Sequence, residues 1–170
     1  MAAKTWRGEA GNFLIERFAS YSRLPTFLLN RLSRHHNYKV RQAVAKNPKT
    51  DAQLLEKLHQ DEVWQVRSYV ASNKHLPASL FSIAKSDPCW DVRHGLALNE
   101  VCPIEILLAL AHDPALAVRR SVISNQNSSP SVLEILATDD DWTVRRLARE
   151  RLATTNQTSA YPHEGTALSR

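Results

Sequence analysis

The chain has 170 residues, 43% of them hydrophobic and 23% charged, which suits one ordinary globular domain. Four glycines and 7% aromatic residues are too few for the turns and strand pairs of a β-sandwich or barrel. The formal charge of +5 permits nucleic acid or acidic proteins as partners, but it is unevenly spread: residues 1–36 hold six basic against two acidic side chains, and residues 37–153 fifteen against fourteen.

The opening MAAKTWRGEAGNFLIERF has no apolar run long enough for a signal peptide or a spanning helix, so a cytoplasmic protein without a membrane role is expected. Residues 1–11, with Trp6 as their one sizeable apolar anchor, are expected to form a flexible terminus. A helical pattern begins at Asn12 (Phe13, Leu14, Phe18), and a second follows Leu24-Pro25 with Phe27, Leu28, Leu29 and Leu32. Pro25, Leu28, Leu29 and Leu32 stand 26 residues before Asp51, Leu54, Leu55 and Leu58. Residues 12–36 therefore read as a degenerate first repeat that caps a stack.

The repeat becomes plain from residue 37. Val-Arg pairs begin at Val40, Val66, Val92, Val118 and Val144, a constant step of 26. Asn47, Asn73, Asn99 and Asn125 keep the same step, as do Asp61, Asp87, Asp113 and Asp139. Apolar columns accompany them: Leu55, Phe81, Leu107 and Leu133, then Leu58, Ala84, Leu110 and Leu136. Each unit predicts two short helices, which are marginal alone and stable only when stacked. The aspartate is expected to cap the first helix, and the asparagine to end it in a left-handed conformation. Pro77 and Pro103 are expected at the first position of the second helix. Four repeats fill residues 37–138. Asp139 to Ala153, with Arg151 where asparagine is due, predicts a capping helix, and the polar residues 154–170 a disordered tail. The whole is an all-α, ARM/HEAT-like α-solenoid in a single domain.

With its columns aligned, the unit VRSYVASNKHLPASLFSIAKSDPCW resembles the leucine-rich repeat variant family. Val66-Arg67, Val70-Ala71, Asn73, Pro77, Leu80 and Asp87, with their equivalents over residues 37–153, carry the resemblance. It implies a right-handed superhelix of short helices, one of each pair often 3₁₀, with no sheet. It also implies an interaction scaffold without shared catalytic residues. The founding type has an N-terminal cysteine cluster for an iron–sulfur centre; no cysteine precedes Cys89 here, so no cofactor is expected. Cys89 and Cys102 read as free thiols.

Arg41, Arg67, Arg93, Arg119 and Arg145 could present a row of guanidiniums to phosphates, but each follows a core valine and recurs in strict register with aspartate. A structural ladder is the favoured reading, the aspartate six residues earlier or a neighbouring repeat's carbonyls being the partners. Trp64, Trp90 and Trp142 share their column with Leu116, which suits packing better than base stacking. Seven histidines fall in different columns without ligand spacing, and the adjacent His35 and His36 are expected to point apart, so no metal is expected. No phosphate loop or nucleophile motif is present.

The positions where repeats disagree are the candidate site, three per first helix: Lys39, Gln42, Lys46; Gln65, Ser68, Ser72; Asp91, His94, Leu98; Ala117, Arg120, Ser124; and Thr143, Arg146, Glu150. Stacking aligns them into one ribbon that is basic at both ends. The expected function is a non-enzymatic, monomeric scaffold for a protein partner. The main alternative is nucleic-acid binding through Lys39, Lys46, Arg120, Arg146 and the basic N-terminal part. A further one is a helical-repeat DNA glycosylase, which requires a Trp and a carboxylate to converge in a groove.

Overall fold

Two apolar positions four residues apart decide the first helix of each repeat. Val40 and Val44, Val66 and Val70, Val92 and Leu96, and Val118 and Val122 lie one turn apart on one face, and all are fully buried. The computed structural model describes residues 24–160, with side chains to Thr155. Expectations for Trp6, Phe13, Leu14, Phe18, His163 and the rest of 1–23 and 161–170 lie outside the described residues. The helices are α1 (Thr26–Leu32), α2 (Tyr38–Lys46), α3 (Ala52–Leu58), α4 (Trp64–Ala71), α5 (Ala78–Lys85), α6 (Trp90–Ala97), α7 (Ile104–Leu110), α8 (Leu116–Ser124), α9 (Pro130–Leu136) and α10 (Trp142–Ala160).

Even-numbered helices pack successively on one another in one layer and odd-numbered helices form the second. The result is an all-helical solenoid, with no strand among the described residues. Its core lies between the layers. Leu54, Leu55 and Leu58 of α3 are buried there, as are Leu80, Phe81 and Ala84 of α5, Ile106, Leu107 and Leu110 of α7, and Val132, Leu133 and Leu136 of α9. Every described helix is α, including those the family resemblance would allow to be 3₁₀. The tighter geometry survives as i→i+3 bonds in terminal turns and connectors, such as the Val66 N–H to the Val63 carbonyl and the Leu76 N–H to the Asn73 carbonyl, both at 3.0 Å.

Three local expectations need correction. Asp61, Asp87 and Asp113 do not cap the first helices; Val63, Cys89 and Ala115 occupy the N-cap positions without a side-chain bond. Each aspartate instead accepts the N–H of that residue, at 3.0, 2.9 and 2.9 Å, closing an Asx turn and leaving the carboxylate aimed at the preceding repeat. Caps stand elsewhere: Asn37 accepts the Lys39 N–H and Asp51 the Leu54 N–H, each at 2.9 Å, and Asp141 accepts the N–H groups of Thr143 at 2.8 Å and Val144 at 3.1 Å. The asparagines are not left-handed: Asn47 and Asn125 are extended, with ψ of 129° in both, and no described non-glycine residue has positive φ. Finally, Pro77 and Pro103 are N-caps rather than first helical residues; Pro130 alone stands inside its helix start.

The last helix also outruns its expected end at Ala153 and continues to Ala160. Residues 144–160 contain neither glycine nor proline, so nothing local breaks the backbone ladder over that span. Among the described residues, no helix is long and apolar enough to cross a membrane.

Candidate functional site

The asparagine column runs through the stack as a chain of bridges. Asn73 Nδ2 donates to the Ala45 carbonyl at 2.7 Å and to the Asn47 carbonyl at 3.3 Å. Asn99 does the same to Ala71 and Asn73, at 2.8 and 2.9 Å, and Asn125 to Ala97 and Asn99, at 2.7 and 2.8 Å. Each Oδ1 accepts the N–H two residues on, including that of Lys49 from Asn47. These amides are buried and serve helix ends whose carbonyls water does not reach. That need, rather than a backbone conformation, explains why asparagine stands there.

The arginine column makes a second set of bridges. Arg67 Nε and Nη2 grip Asp87 Oδ2 and Oδ1 at 2.8 and 3.1 Å, while Nη1 donates to the Asp61 carbonyl at 2.9 Å. Arg41 with Asp61, Arg93 with Asp113 and Arg119 with Asp139 repeat the bidentate fork, with Nε–Oδ2 distances of 2.6, 2.6 and 2.7 Å. The ion-pair partner is thus the aspartate twenty residues later, not the one six residues earlier, whose backbone carbonyl alone is used. Burial alone would raise the carboxyls of Asp61, Asp87 and Asp139. The arginine hydrogen bond, the turn N–H and the arginine charge together outweigh it and hold them below the ordinary 3.8. Arg145 has no such carboxylate among the described residues; its Nη1 donates to the Asp139 and Asp140 carbonyls.

The variable positions divide into two kinds. Lys39, Lys46, Ser72, Leu98, Arg120, Ser124, Arg146 and Glu150 are exposed, whereas Gln42, Gln65, Ser68, Asp91, His94, Ala117 and Thr143 are half-buried between stacked helices. Ser68 Oγ donates to the Asp91 carbonyl at 2.9 Å, and His94 Nδ1 meets Ser121 Oγ at 2.7 Å. Close helix approach explains this: a Cβ on Gly95 would lie 2.6 Å from the Ser68 carbonyl oxygen. Two ribbon cations lie over aromatic rings, Lys46 over Tyr69 and Arg146 over Trp142, each 5.7 Å from the centroid.

The tryptophan column is more open than a packing role requires. Trp64, Trp90 and Leu116 are 40, 44 and 39% exposed, and Trp142 is 63% exposed. Each begins an even-numbered helix; Trp90 meets His94 edge to face, and Trp142 lies under Arg146, in both cases the residue four later. A stripe of large apolar side chains therefore runs beside the ribbon. The recurrence of tryptophan at a helix start was its sequence signal.

The remaining chemistry-bearing groups do not converge. His35 and His36 have rings 4.2 Å apart rather than pointing apart; they lie in the connector between α1 and α2, not on a helix. Burial and the neighbouring His36 lower the His35 pKa. Among the described residues no three His, Cys, Asp or Glu side chains group as metal ligands. An iron–sulfur cluster needs about four thiolates, and the chain has two cysteines, so its residues do not fit that group. Cys102 is buried, which pushes its thiol up to about 12. The groove of about 330 Å³ between the last turns is lined by His112, Asp113, Arg119 and Asp139, of which Arg119 and Asp139 are already joined to each other. The convergence of a tryptophan and a free carboxylate that a glycosylase requires is not found among the described residues.

Short helix pairs stacked in register and tied by two ladders define a helical-repeat solenoid. A solved structure described as a leucine-rich repeat variant with a novel repetitive structural motif is similar to this chain, with a TM-score of 0.62 and 30% identity. The match covers 81% of this chain and 54% of that one, so the chain spans about half the length of the solved protein. The present chain is thus a helical-repeat protein whose fold is like that of a leucine-rich repeat variant. No family model matches the sequence, and no curated protein does.

Proposed function

We propose that the chain is a non-enzymatic scaffold that binds a protein partner along the outward face of α2, α4, α6, α8 and α10. The exposed Trp64, Trp90, Leu116 and Trp142 stripe carries this reading. Large apolar side chains aligned at 39 to 63% exposure are costly to leave in water, and tryptophan dominates the centres of protein interfaces. The ribbon beside it mixes Lys39, Lys46, Arg120 and Arg146 with Asp91 and Glu150. Mixed signs suit the complementary surface of a protein, whereas a phosphodiester track demands one sign. Four of the five ladder arginines already hold aspartates, which removes them from any phosphate-binding row.

The test is affinity capture by the tagged protein from its own cell extract, with and without nuclease, beside the Trp64→Ala/Trp90→Ala variant. The expected result is a protein retained after nuclease and lost from a variant that remains helical by circular dichroism. Capture that ends with nuclease, or that the double variant leaves unchanged, refutes the proposal.

A further inference from the structure

The C-terminal face of the stack is chemically unlike the faces buried inside it. Within the stack, positions 67, 68 and 71 of α4 meet the following repeat: Arg67 holds Asp87, Ser68 bonds the Asp91 carbonyl, and the Ala71 carbonyl accepts from Asn99. Arg93, His94 and Ala97 of α6 do likewise with Asp113, Ser121 and Asn125. On α8 the equivalents are Arg119, Arg120 and the buried Ile123. On α10 all three are arginine: Arg145, Arg146 and Arg149. Where buried apolar Ala71, Ala97 and Ile123 meet neighbouring helices, Arg149 places an exposed charge, so the apolar face ends here. Trp142, 63% exposed, lies at the start of the same face.

Arg145 is held as its predecessors are. Its Nη1 donates to the Asp139 and Asp140 carbonyls, just as Arg119 Nη1 donates to those of Asp113 and Pro114 at 2.8 and 3.3 Å. That anchoring fixes the plane of the guanidinium. The Nε and Nη2 edge, which grips an aspartate in each of the four preceding copies, faces no carboxylate among the described residues. A fork already oriented by two carbonyls loses little side-chain freedom when it binds, so its pairing is stronger than that of a free surface arginine.

We propose that this end face docks an acidic protein segment whose Asp or Glu carboxylate pairs with Arg145 as Asp87, Asp113 and Asp139 pair with Arg67, Arg93 and Arg119. Arg149 adds charge to the contact and Trp142 an apolar wall. A second copy of the chain, stacked in register, does not supply the carboxylate. In the first described repeat the aspartate position belongs to His35, whose Nδ1 accepts the Asn37 N–H at 3.1 Å in the place of an Asx turn. Nucleic acid suits the face less well, because Asp140, Asp141 and Glu150 stand among the arginines and Glu150 already pairs with Arg146 at 2.9 Å. A run of phosphates meets that repulsion, and a single seated carboxylate avoids it.

Fluorescence anisotropy with a fluorescein-labelled octa-aspartate peptide tests this on the full chain at about 150 mM salt, where loose charge attraction is screened. Saturable binding is expected, weakened roughly tenfold or more by Arg145→Ala and by Arg145→Lys, since lysine keeps the charge but lacks the fork. Lys57→Ala, which removes an exposed cation on α3, is expected to change affinity by less than about twofold. Arg145→Lys keeps the proposal testable if the alanine variant unfolds, and its melting curve is recorded alongside. Absence of saturable binding, equal binding by Arg145→Lys, or an oligothymidylate of the same charge binding as tightly as the peptide overturns the proposal.

Discussion

Removing Arg93 is the sharpest test of what holds the repeats in register. Its side chain is 13% exposed and that of Asp113 is 4% exposed, so the pair is largely shielded from water. Arg93→Ala deletes two bonds to Asp113, at 2.6 and 3.0 Å, and one each to the Asp87 and Pro88 carbonyls, at 2.8 and 3.4 Å. Asp113 then keeps only the Ala115 N–H as a partner for a buried charge. Breaking one side of such a pair costs about 3 kcal/mol, at the lower end of the usual range because the arginine edge still touches solvent. For a chain of this size that lowers the melting temperature by about 6–12 °C. Arg120→Ala, one residue beyond the ladder and exposed, should change stability by less than about 0.5 kcal/mol. Thermal and urea melts of Arg93→Ala, Asp113→Ala and the double variant measure the coupling. The double variant should lose about as much as one single variant, not the sum of both. A melting temperature for Arg93→Ala within about one degree of the wild type would refute the ladder's structural role.

Three further outcomes follow from the packing. Gly95→Ala should destabilise by about 1–3 kcal/mol in urea despite the better helix propensity of alanine, because its Cβ meets a backbone oxygen that moves only with the helix. Native protein at about pH 8 should react with a thiol reagent at half-buried Cys89 and not at Cys102, whose thiol burial raises to about 12; equal rates at both would show the α6–α7 turn to be open. Acid should weaken the fold. The carboxyls of Asp61, Asp87 and Asp139 ionise more readily folded than unfolded, so their stabilisation is complete above the ordinary 3.8 and is lost as pH falls through the lower folded values. The urea midpoint should fall between about pH 5 and about pH 3, and Asp87→Asn should shallow that fall. An unchanged slope would remove Asp87 from the account.

The 26-residue register made the two layers and the core columns legible, because a fixed period assigns each residue the same surroundings in every copy. Val66, Leu107 and Leu133 are buried for the reason their spacing suggests. What the register could not show is which neighbouring copy completes a bond. Arg67 has an aspartate six residues before it and another twenty after it, and only the stacking selects Asp87. The same gap explains the ribbon. Ser68 and His94 vary freely in sequence, yet the approach of α4 and α6 at Gly95 draws them into the contact. Trp64 and Trp90 read as packed because hydrophobicity alone does not report how much of a helix start the next turn covers. Arg151 occupies the asparagine position of the last helix, and its Nη1 is buried without a described partner. Its residue type signalled a terminal unit but not that desolvated geometry.

The asparagine bridges have a consequence for how such a chain changes length. Asn99 reaches back to Ala71 and Asn73, and Asn125 to Ala97 and Asn99, at separations of 28 and 26 residues each time. Arg67 and Arg93 reach forward by 20. Excising one whole unit of 26 residues rejoins every donor to an acceptor of the same kind, while losing 25 misaligns both sets and buries amides and carboxylates with nothing to bind. Duplication or loss in whole units therefore leaves every remaining bridge satisfied, and any other change in length does not. The bonds act as a ruler, so descendants of this chain are free to lengthen or shorten their face in steps of one repeat without redesigning an interior.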